Sequence, residues 1–332
     1  SLYLQSAEKR TVFMDIKITP HKLCGTVSVP SSKSIVHRAL ICAALADGNS
    51  VVKGVSFSDD IYATVNSLKA LGAKFVIDND TVFVTGISSP PNHAVIDCNE
   101  SGSTLRFIIP VAAALGVSTT FTGKGRLPER PITPYIREMS KKSISFDYNN
   151  TMPFSVKGTL TGGKYFLEGD ISSQFITGLL FALPLLEKDS EIILTSPLQS
   201  KPYVDITIDC LSRFGVGVSE TQNGYTIKGN QKYLPSSFSS EGDYSQAAFF
   251  FVANAIGNNV RIDNLNEKSI QGDKKIVEVL REIGYNDKKG KLDGFSINAS
   301  DIPDLVPILA VLGCFCGSES RIFGAQRLKI KE

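Results

Sequence analysis

The stretch SKSIVHRALICAALADGNSVVKGV, residues 32–55, opens on hydroxyls and a lysine, runs through small and apolar residues, and closes on a β-branched segment. That order reads as a polar helix start, a buried helix and a strand. It returns in SGSTLRFIIPVAAALGVSTTFTG from Ser101, SSQFITGLLFALPLLEKDSEIILTS from Ser172, DYSQAAFFFVANAIGNNVRIDNL from Asp243 and DIPDLVPILAVLGCFCGSESRIFGA from Asp301. The copies recur at a period of about 60 to 75 residues, the mark of a repeated structural unit.

Between them lies a second kind of segment, an amphipathic helix closed by a turn and followed by two strands. YATVNSLKALGAKFVIDNDTVFVTG from Tyr62 and DITIDCLSRFGVGVSETQNGYTIKG from Asp205 are its clear examples, with KKIVEVLREIGY from Lys274 a third. Val65, Leu68 and Leu71 keep helical spacing, Gly72 and Gly215 suit a C-terminal cap, and Val82 and Val84 alternate as in a strand. A weaker fourth, from Pro134, carries Lys141, Lys142 and Ser143 where the glycine is expected. The two kinds alternate, which predicts an α/β chain of repeated βαβαββ units, each with one buried and one surface helix.

Composition narrows the function. Of 332 residues 42% are apolar and 20% charged, an ordinary globular balance with room for roughly two domains. With 35 basic and 33 acidic side chains, the net charge of +2 gives the whole molecule no pull toward nucleic acid or membrane. The apolar runs at 177–186 and 247–256 fall short of the roughly twenty residues that span a bilayer and read as buried helices. Residues 1–13 lack the basic-then-apolar order of a secretory leader and read as a cloning remnant, with Met14 as the natural start. Cys24, Cys42, Cys98, Cys210, Cys314 and Cys316, with three histidines, show no metal-site spacing, and CFC at 314–316 lacks a second pair. Buried, reduced thiols in a cytoplasmic protein are expected.

Each buried helix opens on polar groups: Ser32, Lys33 and Ser34; Ser101, Gly102 and Ser103; Ser172, Ser173 and Gln174; Asp243 and Ser245; Asp304. Any one is explained by capping. Capping does not explain Lys33 and Arg38, which put positive charge where a helix start favours acids, nor Arg106 nearby. If the repeat lays these helices parallel, several positive dipole ends face one region and an anion from outside resolves the conflict. The loop GKGRLPERPI adds Lys124, Arg126 and Arg130. Pro128 and Pro131 stiffen the chain around Arg130, which suits a guanidinium set for carboxylate or phosphate. A cleft for small polyanions, with no metal or other cofactor, is the expectation.

VPSSKSIVHRALICAALADG, ESGSTLRF, GKGRLPERPI, GDISSQFITGLL, SKPYVDITI, EGDYSQAAFFFVANAI, IQGD, IPDLVPILAVL and RLKIKE, in this order from Met14 to Glu332, closely resemble the 5-enolpyruvylshikimate-3-phosphate synthase family. The resemblance implies two similar α/β domains, each an inside-out barrel with buried helices at its centre. Residues 31–240 would form one complete domain on the shikimate 3-phosphate side. Residues 14–30 with 241–332 would form the second, discontinuous and incomplete. It also implies transfer of the enolpyruvyl group of phosphoenolpyruvate to the 5-hydroxyl of shikimate 3-phosphate, with release of phosphate, in the route to chorismate and the aromatic amino acids. A cytoplasmic monomer working on small molecules follows, without nucleic acid or membrane partners.

Carried across motif by motif, the resemblance gives shikimate 3-phosphate to Lys33, Ser34, Arg38, Ser172, Ser173, Gln174, Ser200, Tyr203, Asp304 and Lys331. It gives phosphoenolpyruvate to Lys33, Gly102, Arg130 and Gln174. Asp304 would accept the 5-hydroxyl proton, and Glu332 would move a proton at the methylene carbon, with Lys33 assisting. Acid–base work of this kind needs two groups on opposite sides of the intermediate.

The family pattern continues past Glu332, with further cations for phosphoenolpyruvate, and five buried-helix segments stand where two threefold domains need six. The segments 140–144 and 286–294 are also shorter than the pattern, as if loop residues were missing. A chain ending at Glu332 would bind shikimate 3-phosphate without turnover, as an anion-binding fragment. The related enzyme that uses UDP-N-acetylglucosamine fits less well, because its mobile loop carries a cysteine that GKGRLPERPI lacks. Arg327 stands where the family often has asparagine and is given no role.

Overall fold

The structure is a computed structural model and describes residues 17–285, 292–326 and 328. Its helices are α1 (Lys33–Leu45), α2 (Asp59–Ala70), α3 (Gly102–Ala114), α4 (Thr133–Met139), α5 (Ser173–Ala182), α6 (Lys201–Arg213), α7 (Tyr244–Ala255), α8 (Lys275–Glu282) and α9 (Val306–Phe315).

Three four-stranded sheets follow one plan. In the second unit His93–Asp97 and Ser118–Thr122 pair in parallel across α3, and Phe154–Lys157 and Ser145–Asp147 then add antiparallel. In the third, Lys164–Leu167 and Ser190–Leu194 pair in parallel across α5, followed by Gly224–Ile227 and Val218–Thr221. The first unit has Asn49–Lys53, Thr81–Thr85 and Lys74–Asp78 in the same places, but borrows its opening strand, Ser237–Ser239, from beyond the third. The chain thus closes a threefold arrangement on itself. Among the described residues the three sheets are not hydrogen-bonded to one another, so the repeat packs sheets around helices without forming a closed barrel.

The helices lie inside because their sequences have no wet side. Ile35 to Ala44 in α1 are all buried, as are Phe107 to Ala113 in α3 and Phe175 to Ala182 in α5. Close approach of α3 and α5 rests on a proline and a glycine. Pro110 has no N–H to give the carbonyl of Arg106 four residues back, and the Tyr135 hydroxyl of α4 donates to that carbonyl at 2.7 Å instead. A Cβ at Gly178 would stand 2.2 Å from the Tyr135 hydroxyl and 2.3 Å from the Arg106 carbonyl. Only glycine fits there.

The surface-helix segments close as their glycines predict, with Gly72 at φ +109° and Gly215 at φ +79°. In the weaker copy Ser143 takes the left-handed conformation itself, at φ 67°, after a 3-10 turn at Ser140–Lys142. The short link at 140–144 is therefore a compact turn.

The core divides in two. One cluster runs from Ile35 to Phe238, the other from Ala248 to Leu312. Around the second, Cys24–Ser28 pairs in parallel with Asn259–Asp263, and Ser296–Asn298 with Arg321–Phe323. Two expectations are corrected here. Helices α7 and α9 are not sealed as α1, α3 and α5 are: Phe249 is 50% exposed and Phe315 52%, because neither helix is surrounded on every side among the described residues. The thiols are all free, but only Cys42, Cys98 and Cys210 are buried, whereas Cys24 and Cys314 are exposed and Cys316 is partly exposed. The first three lie in or beside the closed helical core; the others lie in the smaller body.

Candidate active site

The starts of the buried helices meet. Lys33, at the head of α1, places Nζ 2.7 Å from Asp60 in the first turn of α2. The hydroxyl of Thr104 in α3 reaches the Asp60 carbonyl at 3.4 Å. Gln174 of α5 donates through Nε2 to Ser103 Oγ of α3 at 3.0 Å. Arg38 donates from Nη1 to the Ser34 carbonyl at 2.7 Å and from Nη2 to the Tyr203 carbonyl of α6 at 2.9 Å. The helix starts predicted from the first three repeats, with that of α6, therefore share one region, and their dipoles add positive potential to it.

Three cappings are as expected. The Ser101 hydroxyl accepts from the Thr104 N–H, that of Ser172 from the Gln174 N–H at 3.3 Å, and Asp243 Oδ1 from the N–H groups of Ser245 and Gln246 at 2.8 and 3.3 Å. Ser32, the residue before α1, makes no such side-chain bond. Ser173 is buried beside Ser172, and Ser34 half-buried beside Lys33. Ser200 holds the left-handed conformation at φ 57° ahead of α6 and donates its N–H to the Ser300 carbonyl at 3.1 Å.

The cations differ in kind. Lys33 is about half exposed, at 54% of its side chain, and an exposed pair such as Lys33–Asp60 is worth no more than about 1 kcal/mol. An incoming anion can displace it. Arg38 is buried and also donates from Nε to Thr207 Oγ1 at 2.8 Å, with its guanidinium 5.2 Å from the Phe107 ring centroid. Burial pulls it down to about 10, which leaves it charged at neutral pH. Arg106 lies beside Gln174, donating to its Oε1 at 2.6 Å. Arg130 lies over Gly102: a Cβ there would meet its Nη1 at 2.6 Å and Gln174 Oε1 at 3.7 Å. Lys124 and Arg126 are exposed, and Arg126 approaches Glu129 at 3.9 Å.

Asp304 sits in the 3-10 turn Pro303–Leu305 ahead of α9, where the cap residue is Ile302 without a side-chain cap bond. Its carboxylate faces Tyr203, whose hydroxyl lies 2.6 Å from Asp304 Oδ2 and 3.3 Å from Asp273 Oδ2. Burial, then Asp273 and Asp304, push the Tyr203 phenol well above its ordinary range, so it keeps its proton. Lys331 and Glu332, expected at the site, and Arg327 lie outside the described residues.

Motif spacing does not reveal the residues that brace this region. His37 is fully buried and shares a 2.7 Å hydrogen bond with Thr64, whose hydroxyl is 2.7 Å from that of Thr104. Burial and then the charges of Lys33 and Arg38 hold its imidazole down to about 3, hence neutral. Thr207 bonds both Arg38 and Thr177, at 2.8 and 3.0 Å. The only signal for Asp273 is its place in IQGD.

A meeting of helix starts and cations of this kind suits small anions, and an exposed carboxylate beside Tyr203 can take a proton. Among known families, the chain matches the model described as EPSP synthase (3-phosphoshikimate 1-carboxyvinyltransferase) over residues 18–332. It is 43% identical over 329 residues to a 3-phosphoshikimate 1-carboxyvinyltransferase of Clostridium perfringens, spanning 95% of this chain and 78% of that protein. It is 41% identical over 338 residues to one of Clostridium beijerinckii, spanning 96% and 78%. A solved EPSP synthase of Acinetobacter baumannii superposes with a TM-score of 0.78 at 22% identity, over 94% of this chain and 76% of that one.

Proposed function

Because the chain belongs to the EPSP synthase family, we propose that the region between the helix starts and Asp304 is where it joins its two substrates. The function is enolpyruvyl transfer from phosphoenolpyruvate to shikimate 3-phosphate, a transferase step of the shikimate pathway toward aromatic compounds. The 5-hydroxyl oxygen bonds to C2 of phosphoenolpyruvate while its proton leaves and another is added at C3. The phosphate C–O bond then breaks and a C3 proton is lost, so the enol ether and inorganic phosphate balance the two substrates.

Lys33, Ser34, Arg38, Ser172, Ser173, Gln174, Ser200 and Tyr203 hold shikimate 3-phosphate in this reading. Lys33, Gly102, Arg130 and Gln174 hold phosphoenolpyruvate, and Asp304 takes the hydroxyl proton. Lys331 and Glu332 complete it by resemblance. The observation that carries it is the gathering of side chains at Gly102: Arg130 Nη1 lies 2.6 Å from where its Cβ would be, with Gln174 Oε1 at 3.7 Å and Arg106 Nη1 at 3.8 Å, so two guanidiniums and an amide meet at the head of α3 where an anion would be held. Ser172 and Ser173 offer hydroxyls at a helix start, as a phosphate requires.

Residues 31–240 form the shikimate 3-phosphate domain, and 14–30 with 241–332 belong to the other. The two core clusters support that division. The chain acts as a cytoplasmic monomer, with every residue of the reading in one chain. No described helix is long and apolar enough to cross a membrane.

Calorimetry with shikimate 3-phosphate and with UDP-N-acetylglucosamine, followed by phosphate release on adding phosphoenolpyruvate, tests the reading. Heat with the first ligand is expected, and turnover with it in the full-length enzyme. Heat with the nucleotide sugar alone overturns it.

A further inference from the structure

The segment Ile270–Asp273 touches three things that must be in register for Asp304 to work. Gln271 is buried; its Nε2 donates to Glu241 Oε1 at 2.8 Å and to the Gly242 carbonyl at 2.9 Å, and its Oε1 accepts the Tyr244 N–H at 3.1 Å. Residues 241–243 are one of the two segments by which the chain passes between its cores. The other is 30–32, and the two are tied by Ser32 N–H to Glu241 carbonyl at 2.8 Å and Asp243 N–H to Pro30 carbonyl at 2.9 Å. Gln271 therefore grips the crossing point.

Two residues on, the segment reaches the site. Gly272 is wedged so tightly that a Cβ would stand 2.9 Å from the Pro202 ring at the start of α6 and 3.2 Å from the Asp301 carbonyl ahead of Asp304. Asp273, buried, brings Oδ2 to 3.3 Å from the Tyr203 hydroxyl, whose other neighbour is Asp304 at 2.6 Å. A phenol has one proton to give, and here it faces two carboxylates. The proton is shared, with the stronger branch to Asp304 and the weaker to Asp273. The second carboxylate thereby steers the hydroxyl and, as a further negative charge, opposes loss of the proton.

We infer that Asp273 is a positioning residue of the transfer reaction: it holds the Tyr203 hydroxyl against Asp304, and Gln271 and Gly272 tie that arrangement to the crossing between the two cores. Asp273 touches no reacting atom; it acts through Tyr203. The proposal rests on Asp304 being the base.

The test measures kcat and both KM values in the full-length enzyme for Asp273→Asn, Tyr203→Phe, the double variant and Asp304→Ala, with melting temperatures. Expected for Asp273→Asn is a fall in kcat of about tenfold to a hundredfold, with both KM values within about threefold. In the Tyr203→Phe background the same change should cost less than about twofold, because its target is already gone. A general loss of packing would not show that dependence. Equal costs in both backgrounds, or a change confined to KM or melting temperature, overturn the proposal. If Asp273→Asn does not fold, Asp273→Ser is read by the same cycle. An Asp304→Ala enzyme that keeps its kcat overturns the base assignment and this inference with it, whereas loss of kcat there beside an additive cycle overturns this inference alone.

Discussion

The hydroxyl of Tyr203 lies 2.6 Å from Oδ2 of Asp304, and the two residues stand beside different hydrophobic cores. Tyr203 is in the first turn of α6, whose Val204 and Ile206 belong to the larger cluster, while Asp304 precedes α9 between Ile302 and Leu305 of the smaller one. With the roles proposed above, whatever fixes their separation would also fix the distance from bound shikimate 3-phosphate to its base.

Asp304→Asn keeps the size of the side chain and removes its capacity to take a proton. A fall in kcat of about 10² to 10⁴ is expected, with shikimate 3-phosphate still bound in calorimetry. Turnover within a few-fold of the parent would mean the hydroxyl proton goes elsewhere.

Gly102→Ala places a methyl group 2.6 Å from Arg130 Nη1. A guanidinium at the end of a flexible chain can move, so the protein should fold with little loss, but Arg130 moves off its contact position. A rise of about tenfold in KM for phosphoenolpyruvate, against less than about twofold for shikimate 3-phosphate, is expected. Equal effects on the two substrates would show that Gly102 is not next to one of them.

Gly178→Ala is a stability prediction. Its methyl meets the Tyr135 hydroxyl at 2.2 Å and the backbone carbonyl of Arg106 at 2.3 Å, and the backbone cannot swing aside. Separating α3 from α5 also frees a buried carbonyl that Pro110 cannot satisfy. The expected loss is about 3 kcal/mol or more in urea unfolding. A variant as stable as the parent would show that the two helices are not in this contact.

His37 sets a pH dependence. Its imidazole titrates near 3 in the folded protein and near 6.5 when unfolded. Between those values the unfolded chain binds the proton more readily, so this group's contribution is intact above pH 6.5 and is lost as pH falls toward 3. The slope is at most about 1.4 kcal/mol per pH unit. Unfolding free energies of the parent and His37→Gln, measured from pH 7.5 to 4.5, should therefore converge as pH falls. A constant gap between the two curves would show a histidine open to solvent.

Much of this was readable in the residues, because a repeat displays its own pattern. The polar starts of α1, α3 and α5, the glycine caps at 72 and 215 and the strand alternation at Val82 and Val84 are local features, and local chemistry decides them. The sequence marks 141–143 as the place of the missing cap glycine but not that Ser143 itself turns left-handed, because a left-handed serine is set by the turn around it rather than by its type. The wet sides of α7 and α9 escaped because Phe249 and Phe315 look like core residues in any window; what surrounds them is a tertiary fact. Arg38 was singled out as a cation, but its partners Thr207 and Tyr203 lie about 165 residues and more away in sequence, where no spacing rule reaches. Asp273 sat in plain view in IQGD with nothing nearby to mark its chemistry.

The strand Ser237–Ser239 completes a sheet begun at Asn49, and the Ser50 hydroxyl accepts a hydrogen bond from the backbone of a residue 186 positions later. On a ribosome, then, the first unit must wait with one sheet edge open until the third has emerged. Contacts of such long range make folding slow, and an unpaired edge is exposed to other chains meanwhile. The same closure that seals the finished protein sets the order in which it can be finished.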